Sequence, residues 1–240
     1  MKVNSVATAL LDAVFPQYCL LCQLRSQSPL PLCADCFTRL QGNDRACERC
    51  ALPLAATAGG LCSQCSEQLP AIDRVIAPLV YEPHLALLIS RWKFQREPRL
   101  TRLLAALWQA WVTPPTDRDL LLPVPLHWRR LLWRGFNQAA LLGLEIRARQ
   151  PQLASLPLRT DILRRRRATP PQASLSARQR ASNLAAAFQV RGDLGGLRIA
   201  LIDDVMTTGA TAEAIATVLK GAGAADVQLW CLARTPAPGS

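Results

Sequence analysis

The chain has 240 residues, 50% of them hydrophobic, and its 28 Lys and Arg against 17 Asp and Glu leave a formal net charge of +11. That length holds one full-sized domain and a small module, and the charge favours anionic partners: phosphorylated small molecules, nucleic acid or anionic lipid. No stretch approaches the ~20 uninterrupted apolar residues of a membrane span, and no signal-like apolar core with a cleavage site precedes the first Cys, so the reading is of a cytoplasmic protein without a membrane span.

In chain order, residues 6–15 pattern as a short amphipathic helix, and residues 18–66 hold eight of the nine cysteines. Residues 75–80 read as a strand, followed by two helices broken at Pro98 and a linker over 111–118 that contains Pro114-Pro115. From residue 119 the pattern alternates. Strand 120–124 leads to helix 136–149, then strand 158–163 runs into an Arg-rich loop and helix 176–186. A short strand 188–190 and a turn over 192–196 precede strand 199–203, helix 211–221 and strand 227–232. The tail from Pro236 is expected to fray. Short continuous apolar strands alternating with helices call for an α/β fold, a parallel sheet covered by helices on both faces. Three zones are expected: a cysteine-rich module over 1–70, a connecting or hood segment over 71–118, and the α/β domain over 119–240.

The cysteines pair as Cys19/Cys22, Cys33/Cys36, Cys47/Cys50 and Cys62/Cys65. Two residues between thiols let one tight turn aim both sulfurs at one tetrahedral ion, and two such turns close the site. Eight thiolates predict two structural Zn²⁺ sites, either sequential ribbons or an interleaved cross-brace. A closed four-thiolate shell has no open position for substrate, so no zinc catalysis is expected. Disulfides are disfavoured without a secretion signal. An iron–sulfur cluster usually shows less regular spacing, and thioredoxin-like chemistry needs one such pair beside a βαβ unit. Cys231 lies in an apolar strand and reads as a core residue.

The segment Ile199-Ala-Leu-Ile-Asp-Asp-Val-Met-Thr-Thr-Gly-Ala-Thr211 is the most informative. A buried strand delivers Asp203 and Asp204 to its C-terminal end, where open α/β sheets bind ligands. Two adjacent carboxylates repel unless a cation or hydroxyl donors share them, and vicinal ribose hydroxyls suit that role. Thr207, Thr208, Gly209, Ala210 and Thr211 then enter a helix whose N-terminal amides can hold a phosphate dianion. Gly209 removes a Cβ that blocks close approach, and Thr211 can cap the helix. Asp-Asp alone reads as a solvated acidic turn before a capped helix; the full order is far more specific. The segment resembles the 5-phosphoribosyl-1-pyrophosphate (PRPP) signature of type I phosphoribosyltransferases. In that family the two acids contact the ribose hydroxyls and the loop holds the 5′-phosphate.

Further motifs narrow the resemblance. Pro123-Val-Pro-Leu-His127, Arg130 and Arg134-Gly-Phe-Asn-Gln138 are followed by Thr169-Pro-Pro-Gln172, Leu175, Arg180, Asn183 and Ala187-Phe188. With Trp92-Lys93-Phe94 and the cysteine module, this is similar to the ComF family from Cys19 to Arg234. That resemblance implies a type I phosphoribosyltransferase-like domain behind a double zinc ribbon, linked to natural competence and DNA utilisation. It places pyrophosphate at residues 126–130, whose Arg side chains neutralise it, makes Arg130 and Arg134 PRPP-binding residues, and sets a mobile loop over 164–176 that brings Gln172 and Arg180 to the ligand. Each motif has a plainer reading. Asn137 can simply cap a helix, residues 164–167 can be a solvated face, His127 lacks a carboxylate partner and reads as structural, and Trp128 and Trp133 read as hinge or core more than as base-stacking residues. Two functions stay open. One is Mg²⁺-dependent phosphoribosyl transfer from PRPP to an unnamed acceptor, with Asp203 and Asp204 orienting the sugar. The other is a non-catalytic, PRPP-regulated factor that binds single-stranded DNA or a helicase-like partner of DNA uptake.

Overall fold

Short apolar runs set the centre of the molecule. The computed structural model describes residues 17–55, 60–166 and 184–237. Two short helices, α1 (Ala34–Thr38) and α2 (Ser63–Glu67), belong to the cysteine module. Strands β1 (Arg74–Ile76) and β2 (Leu79–Val80) follow, then helices α3 (Pro83–Phe94) and α4 (Leu100–Trp111). Next come β3 (Leu120–Pro123), α5 (Trp128–Arg134), α6 (Gln138–Arg149), β4 (Leu163–Arg165) and β5 (Phe188–Val190). The chain continues through β6 (Arg198–Ile202), β7 (Val205–Met206), α7 (Ala210–Gly221), β8 (Asp226–Trp230) and β9 (Ala233–Arg234).

The central sheet has the order β1-β8-β6-β3, with every pair parallel. Side chains alternate between the faces of a strand, and Ile199, Ala200, Leu201 and Ile202 are all fully buried, so both faces are covered. α7 packs on β8, and α6 crosses β3 and β6. The α6 crossing is close: a Cβ on Gly143 would stand 2.9 Å from Leu158 Cδ1 and 3.3 Å from Ile202 Cγ1. Helices α3 and α4, broken by Pro98 as the sequence predicts, fix three buried indoles. Trp92 Nε1 donates to Thr101 Oγ1 at 3.0 Å, and the Trp108 ring stacks on Trp230 of β8 at 5.6 Å between centroids. Large aromatic areas buried this way dominate core energetics. Pro83 and the Glu82 carboxylate, which accepts from the Leu85 and His84 amides, start α3.

The structure departs from the sequence reading at several points. The strand expected over 75–80 is two strands, since Pro78 donates no amide. β2 instead joins a second parallel sheet, β2-β9-β7. β6 and β8 break at the same level, sending β7 and β9 into that sheet, so the acid pair occupies a step between two sheets. Leu158 forms an isolated parallel bridge to Leu121, and the strand proper is Leu163–Arg165, antiparallel to β5. Arg164 and Arg165 thus begin in a hairpin rather than a loop. α5 was not expected, and it holds Trp128 and Trp133 about half exposed, which corrects their reading as core residues. The helices expected over 6–15 and most of 176–186, and the residues Gln172 and Arg180, lie outside the described residues.

Candidate functional site

Two candidate sites emerge, a pair of cysteine tetrads and the turn that follows the acid pair. The eight paired cysteines form two groups, Cys19, Cys22, Cys33 and Cys36, then Cys47, Cys50, Cys62 and Cys65, with the sulfurs of each group within 4.8 Å of one another. The pairing is sequential, which resolves the alternative the spacing left open. At Cys19 and Cys47 burial acts to raise the thiol, yet knuckle amides outweigh it. Their pKa values fall to about 6 and about 7. Burial and the neighbouring thiols push Cys36 up to about 12 and Cys50 up to about 11. Four thiolates therefore coexist in each tetrad only around a cation, and a closed tetrahedral Cys₄ shell fits structural Zn²⁺. Cys231 is fully buried, as expected of a core residue.

The acid pair and the loop sit at the step where β6 ends. The Asp203 amide donates to the Trp230 carbonyl at 3.0 Å, and the Leu232 amide to the Asp204 carbonyl at 2.9 Å. The turn also satisfies itself locally, because Asp203 Oδ1 accepts from the Asp204 amide and Asp204 Oδ1 from the Val205 amide. Burial, followed by the Asp204 charge, pushes the Asp203 carboxyl up from 3.8 to about 7, although part of the side chain still reaches the surface. Lys93 Nζ lies 2.6 Å from Asp204 Oδ1 and supplies the cation that two adjacent carboxylates require.

After Met206 the chain turns outward. Gly209 adopts φ +82°, a left-handed conformation costing other residues about 1–2 kcal/mol, and a Cβ there would stand 2.5 Å from Met206 Cε. Thr207 and Thr208 are exposed, and among the described residues no acceptor meets the amides of Thr207, Thr208 or Gly209. These donors open the N-terminus of the twelve-residue helix α7, where the helix dipole also favours an anion. Ala210 N donates weakly to Thr208 Oγ1 at 3.4 Å. Thr211 is not the cap, because Gly209 holds that position.

Cations gather around this turn. Arg134, at the end of α5, is 8% exposed, and among the described residues its Nε has no hydrogen-bond partner. Burial lowers its pKa, while the Asp204 charge opposes that and Arg130 adds to it. Arg165 of β4 feels both Arg130 and Asp203. The structure thus brings Asp203, Asp204, Arg130, Arg134 and Arg165 into one electrostatic neighbourhood, with the acid pair just ahead of the 207–211 loop in the chain. Asn137 is a cap, accepting from the Ala139 and Ala140 amides and donating to the Val124 carbonyl at 3.1 Å. His127 likewise caps α5.

Three residues with site contacts lacked a local signal strong enough to give them roles. Lys93 stood only inside the Trp-Lys-Phe motif, and Arg165 only inside a basic run. Arg234 ends an apolar strand, yet it is buried and holds the loop from behind.

The described chain is therefore a double zinc ribbon joined to a parallel α/β domain that carries an acid pair and a glycine-containing turn at the C-terminal end of β6. The double zinc ribbon domain family matches residues 10–66. The DNA utilization protein YhgH of Salmonella typhimurium is 37% identical over 229 residues, covering 92% of this chain and 98% of that one. Competence protein F of Haemophilus influenzae is 34% identical over 182 residues, 72% of this chain and 78% of that one. The chain belongs to the ComF family, in which these relatives stand. Among solved structures, a purine phosphoribosyltransferase from Pyrococcus horikoshii aligns over 59% of this chain and 75% of its own, at 20% identity and a TM-score of 0.30. No described helix is long and apolar enough to cross a membrane.

Proposed function

We propose that this chain binds PRPP with Mg²⁺ at the β6–α7 turn and transfers its phosphoribosyl group, in a setting of DNA use or uptake like that named for its relatives. One observation carries the reading: the amides of Thr207–Gly209, which meet no acceptor among the described residues, follow directly on an acid pair. The loop, from Thr207 to Thr211, would hold the 5′-phosphate. Asp203 and Asp204 would accept hydrogen bonds from the ribose diol. Arg130 and Arg134 would face the pyrophosphate, Arg134 through an Nε that has no partner among the described residues. Gln172 and Arg180 keep the ligand-contact role that the family resemblance implies. Magnesium, carried by the ligand's own oxygens, would supply charge neutralisation. In the transfer, the bond from C1′ to pyrophosphate breaks and the pyrophosphate leaves with its electron pair. The nucleophile bonds to C1′ and gives up a proton, while the acid pair's negative field favours the oxocarbenium-like transition state. A screen of nucleobases and amines for Mg²⁺-dependent pyrophosphate release from PRPP tests turnover. At least one acceptor is expected to raise release above the acceptor-free rate; release at background with all of them would remove the transferase half of the proposal.

A second reading is favoured by the surface of α5. Trp128, Leu132, Trp133 and Phe94 are exposed. Arg129 stacks over Trp128 at 5.3 Å and Arg96 over Trp133 at 5.5 Å. Aromatic faces flanked by Arg form a stacking platform for single-stranded nucleic acid. With stacking worth about 1–3 kcal/mol per base, the pair of changes Trp128→Ala and Trp133→Ala is expected to weaken oligothymidine binding tenfold or more. Wild-type affinity should fall linearly on a log–log plot against salt. Unchanged binding in that double variant would exclude α5 as the platform.

A further inference from the structure

Arg234 connects the second metal tetrad to the anion-binding loop. Its side chain is 6% exposed and donates through Nε and Nη1. Nε donates to the carbonyl of Cys50, a member of the second tetrad, at 3.2 Å. Nη1 donates to the Met206 carbonyl at 3.2 Å, to the Thr207 carbonyl and to the Thr235 carbonyl at 2.9 Å. The Thr235 amide adds a second donor to the Met206 carbonyl at 3.0 Å.

The chemistry of the peptide bond gives these contacts a consequence. In a trans peptide the carbonyl and the following N–H point in opposite directions. Holding the Met206 and Thr207 carbonyls inward therefore turns the Thr207 and Thr208 amides outward, toward where an anion would sit. The guanidinium also places a fixed positive charge behind the loop. Its other anchor, the Cys50 carbonyl, belongs to a knuckle whose shape depends on four sulfurs converging. That knuckle is itself clamped to the α/β domain. The Arg49 carbonyl accepts from the Val75 amide at 2.8 Å. The Arg49 side chain reaches Asp73 at 3.4 Å, which Lys220 of α7 approaches at 2.8 Å. No comparable contact joins the first tetrad to the loop among the described residues; that ribbon meets α4 instead, through Phe37 stacked on Trp111 at 4.8 Å.

We infer that Arg234 is a positioning residue for the phosphate loop and that zinc in the second tetrad, through the Cys50 carbonyl, keeps it in place. The first tetrad has no such link. This rests on the loop's reading as a phosphate cradle, and it makes PRPP binding responsive to zinc occupancy or thiol oxidation at one ribbon only.

The test follows backbone hydrogen exchange together with PRPP·Mg²⁺ affinity in the full zinc-loaded chain. The informative amides are Thr235, bonded to the Met206 carbonyl, and Glu213, bonded to the Gly209 carbonyl; strand β3 serves as the control for global unfolding. Arg234→Ala and Cys62→Ser are each expected to speed exchange at Thr235 and Glu213 at least tenfold, with β3 protection kept, and to weaken PRPP at least tenfold. Arg234→Lys should fall between wild type and Arg234→Ala, since one ammonium replaces only part of the fork. Cys36→Ser, in the first tetrad, should change neither readout. Should Cys62→Ser fail to fold, stepwise zinc removal from wild type by a chelator supplies the same comparison, with loop exchange expected to rise in step with loss of the second ion. Unchanged loop exchange in Arg234→Ala, or equal responses to loss of either tetrad, overturns the inference. Loosened exchange in a protein whose wild type binds no PRPP would leave the coupling standing and sink the ligand reading instead.

Discussion

Replacing Asp203 and Asp204 by Asn is expected to cost at least about 100-fold in PRPP affinity while leaving the folded chain no less stable at pH 8. Each carboxylate would lose a charge-assisted hydrogen bond to the ribose diol, worth about 1.5–3 kcal/mol, and every 1.4 kcal/mol is about tenfold. The stability half follows from the position of Asp203. Burial first, and the Asp204 charge next, hold its carboxyl at about 7, well above the ordinary 3.8. The folded chain therefore keeps a proton that an unfolded chain releases. That contribution is complete below pH 3.8 and is lost as the pH rises through about 7. An Asn carries no such penalty, and its carbonyl oxygen can still accept the Asp204 amide that Asp203 Oδ1 accepts at 2.8 Å. Wild-type PRPP affinity should also climb between pH 6 and pH 8 as Asp203 ionises, and Asp203→Asn should flatten that slope. Calorimetry across this pH range, paired with thermal melts, checks both halves. A double variant that binds normally, or one that fails to fold, contradicts the account.

The larger effect on stability belongs to the second tetrad. Metal analysis should find two Zn²⁺ per chain, with both lost on strong chelation. Structural zinc contributes on the order of 10 kcal/mol in isolated zinc-finger peptides. Cys→Ser in the second tetrad is expected to lower the melting temperature more than the same change in the first. Cys47, Cys50, Cys62 and Cys65 are all buried, whereas Cys22 is exposed. The second knuckle is bound into the sheet edge through Arg49 and Arg234, while a cavity of about 270 Å³ separates part of the first ribbon from Leu103 and Leu107 of α4. Equal losses from the two tetrads would show that the ribbons share the load evenly.

Much of this architecture is legible in the sequence because its signals are local. Four regular cysteine pairs dictate two tetrads, and the runs at 120–123 and 199–202 are too short and too apolar to be anything but buried strands. The order strand, Asp203-Asp204, Thr-Thr-Gly, helix fixes the turn, since each residue type serves its own neighbours. The remainder is nonlocal. Pro78 marks the break in 75–80, but the passage of β2 into a second sheet follows from a step shared by three neighbouring strands, which no single strand encodes. Lys93 reaches Asp204, far away in the chain, only through the folding of α3 beside the turn. Arg234 looks like the end of an apolar strand, and its role appears only when Cys50 and Met206, far apart in the chain, flank it. Spacing alone did not decide the pairing of the tetrads either, because sequential and interleaved ribbons share the same intervals.

Isothermal titration of the zinc-loaded wild-type chain with PRPP, with and without Mg²⁺, is the most direct measurement. The account predicts saturable binding of one PRPP per chain that strengthens with Mg²⁺ and is competed by ribose 5-phosphate. No heat of binding at millimolar PRPP in either condition, with both zinc ions present, would contradict it.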